Sequence, residues 1–213
     1  MRSHLKQLLG IAGLLFCLTA TAGARPRVIE MKDQEGEPYK EAVRVLLRAM
    51  AKGDLEACKA AFVGEGDDLK ALELMVKCNT SAAGLLDVLI AKFGDPNGFL
   101  KRAFTFADME LRGIDVQTIV LDSNRLDDAS ISPGSYGYEL KKRDGKWVVR
   151  SMTAFPEDIP RLIVMLPKLT AANDALKNQI EAGQITKEED AGKALEKIEA
   201  LKRSVSEARR RRN

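Results

Sequence analysis

The side chains able to do chemistry in this chain are few. His4 is the only histidine, and it lies in an N-terminal stretch that reads as a targeting segment, together with Cys17. Once that stretch is removed, Cys58 and Cys78 remain, with no histidine. That inventory removes Ser–His and Cys–His nucleophile pairs. It also removes His-ligated zinc, and two cysteines cannot close a structural zinc site. In an exported chain an even cysteine pair reads as one disulfide, here joining adjacent helices. The alternative is two buried thiols packing as small hydrophobes. Tyr136 and Tyr138 stand at i and i+2, on one face of an expected strand. Asp108, Asp115 and Asp122 fall near strand ends. Their plainer reading is sheet aromatics with a wet hydroxyl and turn-forming aspartates. No G-x-x-x-x-G-K-[ST], G-x-G-x-x-G or EF-hand spacing occurs, so no cofactor and no metal is expected.

The ends of the chain set its address. Arg2 and Lys6 precede an apolar run from Leu8 to about Ala20, and the small-residue patterns Ala20-Thr21-Ala22 and Ala22-Gly23-Ala24 follow. Residues 1–24 therefore read as a signal peptide, with cleavage after Ala24 favoured and Ala22 second. The run is short for a membrane span of roughly 20 residues. The expected location is the periplasm or the extracellular space, with no span after cleavage. The whole chain carries a net charge of +3, and removing Arg2 and Lys6 brings it near zero. No basic patch is interleaved with aromatics, so nucleic acid is not an expected partner. Arg209 to Arg212 form a basic tail that suits a helix C-terminus.

Several elements must position these residues. Residues 25–37 read as a flexible leader. Ala42, Val43, Leu46, Leu47 and Met50 recur at three and four, an amphipathic helix opening near Pro38. Gly53 stops it, and Asp54 caps the next helix, Leu55 to Val63. A third helix runs roughly Leu69 to Phe93, weakened at Asn79-Thr80-Ser81 and Gly84, where a kink or break is expected. Asn79-Thr80-Ser81 also matches a glycosylation sequon, read as chance inside a helical pattern. A short helix near Phe99 to Phe104 is favoured next. The period then falls to two at Val116 to Leu121 and Asp127 to Ile131, followed by a hairpin, Tyr136 to Lys142 and Lys146 to Met152, around Asp144-Gly145. After Pro156 the pattern is helical: Asp158 to Ala182, with a kink or break expected at Pro167, then Gly183, then a last helix behind the capping box Thr186 to Glu189.

Helix, Gly-Asp, short helix, a third helix and then antiparallel strands ending in Asp144-Gly145-Lys146-Trp147 resembles the ketosteroid-isomerase-like (nuclear transport factor two-like, SnoaL-like) superfamily. The match covers about Tyr39 to Thr153. It rests on Ala49 to Ala57, Asp127 to Ile131, and Tyr138-Glu139-Leu140 with Gly145-Lys146-Trp147. The resemblance implies an α+β domain in which a cone-shaped, curved antiparallel sheet packs on N-terminal helices. The long third helix and a C-terminal helical hairpin depart from that pattern. The expected division is 1–24 signal, 25–37 leader, 38–155 ketosteroid-isomerase-like domain, and 156–213 hairpin with basic tail.

Fold alone does not decide function in such a superfamily. Ketosteroid isomerase uses an aspartate base with a tyrosine and a protonated aspartic acid as oxyanion donors. The resemblance thus offers an isomerase or dehydratase with an Asp/Tyr pocket in the cone as one reading. The favoured reading is a non-enzymatic module without catalytic residues. Tyr136, Tyr138 and Trp147 would then line a site for a small apolar ligand, or the C-terminal hairpin would meet a protein partner or a second copy.

Overall fold

The computed structural model describes residues 33–95, 106–114, 119–121, 128–131, 138–152 and 158–210. The expected signal segment, most of the expected leader, Tyr136 and the expected helix near Phe99 to Phe104 lie outside the described residues. The fold class is α+β. Helices α1 (Asp33–Ala51), α2 (Leu55–Ala60), α3 (Asp67–Phe93) and α4 (Phe106–Gly113) come first. Strands β1 (Ile119–Leu121), β2 (Asp128–Ile131), β3 (Tyr138–Arg143) and β4 (Lys146–Ser151) follow, and then α5 (Ile159–Glu181) and α6 (Glu188–Arg210). The strands form one antiparallel sheet in the order β1-β2-β3-β4.

Helix α1 starts at Asp33, so the last part of the expected leader is helical. Pro38 lies inside the helix, and Glu37 pairs with Arg44 at 2.7 Å, tying the first turns to the body of the helix. The stop after α1 works as its residues suggest. Gly53 has φ +69°, and the Asp54 carboxylate accepts from the Ala57 N–H at 2.9 Å. The hairpin turn is equally local: Asp144 and Gly145 both have positive φ, 51° and 77°, as a two-residue turn between twisted strands requires. Strand β4 does not end the sheet as a bare edge. The chain leaving α2 pairs with it, Val63 N–H donating to Val149 O at 2.9 Å and Val149 N–H to Ala61 O at 3.2 Å. A Cβ on Gly64 would stand 2.3 Å from the Arg150 carbonyl oxygen, so only glycine permits this approach.

Two apolar cores result. The first joins Val43, Leu46, Leu47 and Met50 of α1, Leu72, Met75 and Val76 of α3, Tyr138, Leu140 and Val149 of the sheet, and Leu162 and Leu166 of α5. The second joins Leu85 and Leu89 of α3, Leu169, Leu176 and Ile180 of α5, and Ala191 and Ile198 of α6. Helices α3 and α5 serve both, and their mutual contact is the most extensive between any two elements. Packing therefore runs straight across the expected boundary at residue 156. Both helices also run unbroken where interruptions are expected, α3 through Asn79 to Gly84 and α5 through Pro167. Flanking Pro167, Leu166 is seated in one core and Leu169 in the other.

Among the described residues α3 alone has the length and composition of a membrane span. Its apolar side chains Leu72, Met75, Val76, Leu85, Leu86 and Leu89 are buried in the fold.

The expected Cys58–Cys78 disulfide is absent: the two cysteines are not bonded to one another. Cys58 turns inward, its Sγ 3.9 Å from the Leu46 carbonyl oxygen, while Cys78 is half-buried against both cores. The α2–α3 seam has instead an ion pair, Lys59 to Glu73 at 2.9 Å.

Candidate functional site

The polar middle of α3 explains why the helix does not break. The buried Asn79 carboxamide is used at both ends. Its Nδ2 donates to Met50 O at 3.2 Å, and its Oδ1 accepts from Ala107 N–H at 3.1 Å. One side chain thus fastens the end of α1 and the start of α4 to α3. Thr80 bonds back to Val76 O at 3.0 Å. The Ser81 hydroxyl meets the Asp174 carboxylate at 2.6 Å and Thr170 O at 3.2 Å, crossing to α5. Asn79 and Ser81, which weaken a helix in isolation, here supply tertiary hydrogen bonds.

A groove of about 830 Å³ follows this face of α3 from Lys70 to Gly84. Leu55 and Leu74 provide its apolar surface, to which the buried Val76 adds little. Gly53 lines one part, at the α1–α2 turn, and Thr170, Asp174 and Lys177 of α5 line another. The approach at Gly53 is close, since a Cβ there would meet Thr80 Oγ1 at 2.8 Å. Lys177 lies over Gly84, where a Cβ would be 3.6 Å from its Nζ. Of the acids in the groove, Glu73 is paired with Lys59 and Asp174 is engaged by Ser81.

A second polar feature is internal. Glu110, on α4, is 8 % exposed, and the wholly buried Tyr138 donates its hydroxyl to Glu110 Oε2 at 3.4 Å. Burial pushes the Glu110 carboxyl up to about 8 from 4.5, and the Tyr138 hydrogen bond opposes that shift. Burial thus favours the protonated, neutral form of this acid. Burial, with a smaller contribution from Asp54, likewise pushes the Cys58 thiol up to about 11, which makes it a poor nucleophile.

The residues expected to line a ligand site are not gathered into one. Tyr136 is outside the described residues. Tyr138 is a core residue, paired in register with Ile131. Trp147 stands opposite Lys142, four residues along β3 from Tyr138, or about 13 Å at strand rise. It is half-buried, and its ring packs on Tyr39 of α1 with centroids 4.5 Å apart at 35°. Asp108 lies on α4, while Asp115 and Asp122 are outside the described residues. The sequence reading missed Glu110. Its signal was faint: it shares spacing of three and four with Ala107 and Ile114, both buried, so an acid sits on an apolar stripe. Among the described residues no cluster of His, Cys, Asp or Glu is suited to hold a metal ion. Comparison with protein-family models, curated proteins and solved structures finds no match for this chain.

Proposed function

We propose that this protein is an exported binding module of the cell envelope, without catalysis of its own, that holds a small molecule with an apolar body in the groove along α3. The observation that carries the reading is the groove. Its volume of about 830 Å³ falls in the range of small-molecule sites, and apolar surface from Leu55 and Leu74 lies beside a few polar groups. Export rests on the residue pattern of positions 1–24. The ketosteroid-isomerase-like cone belongs to the same reading and rests on the order of helices followed by an antiparallel meander. In this reading Tyr138 and Leu140 fill the interior between sheet and helices, so the ligand sits on the outer face of α3 rather than inside the cone.

Titration with octanol, followed by amide chemical shifts, tests this. Shifts concentrated at Gly53, Thr80 and Gly84 are expected. Their absence, or a uniform spread over the chain, rejects the groove. Gly84→Leu supplies the control. It fills the groove beside Lys177 and favours the helix, so the fold should survive while the octanol shifts disappear.

A second reading has its own observation. Glu110 and the Tyr138 hydroxyl have the residue types of the ketosteroid isomerase oxyanion donors, an acid with a raised pKa and a tyrosine, though here the tyrosine donates to the acid. It ranks second because both groups are buried among core side chains. Conversion of cyclohex-3-enone to its conjugated isomer, abolished by Tyr138→Phe, would establish it. Our reading expects no rate above buffer.

A further inference from the structure

We infer that the groove along α3 selects anionic amphiphiles, with the charged end of a single-chain carboxylate held at the lysine rim and its alkyl chain on the apolar surface. This rests on the proposed groove and adds the chemical class of its ligand. The argument is charge complementarity. Lys70 and Lys77 stand on one face of α3, seven residues or about 10 Å apart. Both are exposed, and neither ammonium group makes an ion pair or hydrogen bond among the described residues. Glu73 lies between them on the same face, but its carboxylate is drawn away to Lys59 on α2 at 2.9 Å. Asp174, across the groove, accepts the Ser81 hydroxyl at 2.6 Å. Lys177 is paired with Glu181 on its own helix at 3.9 Å, which leaves Lys70 and Lys77 to read the charge. The acids of this surface are thus committed to neighbours, while two of its cations are not. An uncharged ligand would leave the unpaired ammonium groups beside an apolar surface with nothing to recognise. A carboxylate gives them a counter-charge close to the apolar surface that holds the chain.

The experiment compares octanoate, octanol and octylammonium by the same amide-shift titration. Octanoate should bind about fivefold or more tighter than octanol at low salt, and octylammonium more weakly than either. The advantage of octanoate should shrink as salt is raised. In the double variant Lys70→Gln/Lys77→Gln, octanoate and octanol should become equal, while octanol itself is unchanged. Equal binding of octanoate and octanol by the unaltered protein overturns the anion inference and leaves the groove reading standing. No groove shift with any of the three overturns both. Octanoate selectivity that survives in the double variant also overturns the inference, because another site then reads the charge. Co-sedimentation with phosphatidylglycerol vesicles, with the same amides shifting and no response to octanoate, would replace the soluble carboxylate with a membrane headgroup and overturn it too.

Discussion

Glu110 and Asn79 show what a single buried polar side chain costs and what it achieves. For Glu110 the folded-state value near 8 lies above the 4.5 of the free carboxyl. Below pH 4.5 the group is protonated in both states and burial is best tolerated. Between 4.5 and 8 the unfolded chain loses its proton and the folded chain keeps it, so stability falls by up to about 1.4 kcal/mol per pH unit. Glu110→Gln should therefore match the parent near pH 4 and exceed it in stability increasingly toward pH 8. Urea unfolding across that range measures the difference, and parallel curves would show that Glu110 is not buried as a neutral acid. Asn79 presents the opposite case, because its bonds satisfy buried backbone groups. Asn79→Ala leaves Ala107 N–H and Met50 O without that partner and should cost about 2–4 kcal/mol in thermal or chemical unfolding. Thiol titration of denatured, unreduced protein lacking residues 1–24 should find two free thiols. In the folded state Cys58 should react far more slowly than a free thiol at neutral pH, for the reasons of burial given above.

At the scale of elements, the junction between α2 and β4 is the most constrained. The backbone of residues 61–63 runs alongside β4, and the path continues only because Gly64 has no side chain. Gly64→Ala brings a methyl group against the Arg150 carbonyl oxygen and must push the covering segment away. We expect a loss of about 1–3 kcal/mol and faster amide exchange at Val63 and Val149, with the Asp144–Gly145 turn unaffected. Equal exchange rates in variant and parent would mean that the edge does not depend on this approach. Helix α3 carries the complementary lesson. Asn79, Thr80, Ser81 and Gly84 make its centre a poor autonomous helix. Its continuity comes from side-chain bonds to α1, α4 and α5 and from leucines held in two separate cores. Local propensity, which predicts a kink here, sees none of those partners.

For the whole molecule, the sharing of α3 and α5 between the cores predicts one cooperative unit. Leu176 is 3 % exposed in the second core, remote in sequence from Trp147, which packs against the first. Leu176→Ala should destabilise by about 2–5 kcal/mol. It should also shift the unfolding midpoint seen by Trp147 fluorescence by the same amount as that seen by helical circular dichroism. Separate midpoints would mean that the hairpin unfolds as an independent part.

Much of this architecture is legible in the chain itself, because it is encoded within a few residues. The Gly53–Asp54 stop and cap, the Asp144–Gly145 hairpin, the switch from helical to strand periodicity and the pair of terminal helices all depend on neighbours in sequence. The residue inventory alone also shows a single histidine, His4, near the N-terminus. Tertiary structure decided what depends on residues far apart. It turned Cys58 to the Leu46 carbonyl instead of to Cys78. It used the weak centre of α3 as a cross-link, and it placed Glu110 under the Tyr138 hydroxyl. The groove has the same origin. Leu55, Lys70, Lys77 and Lys177 mean little along the chain, and they become one surface only when α2, α3 and α5 pack together. Burial and long-range contact set the pKa of an acid and the partner of a lysine, and neither quantity is carried by local sequence.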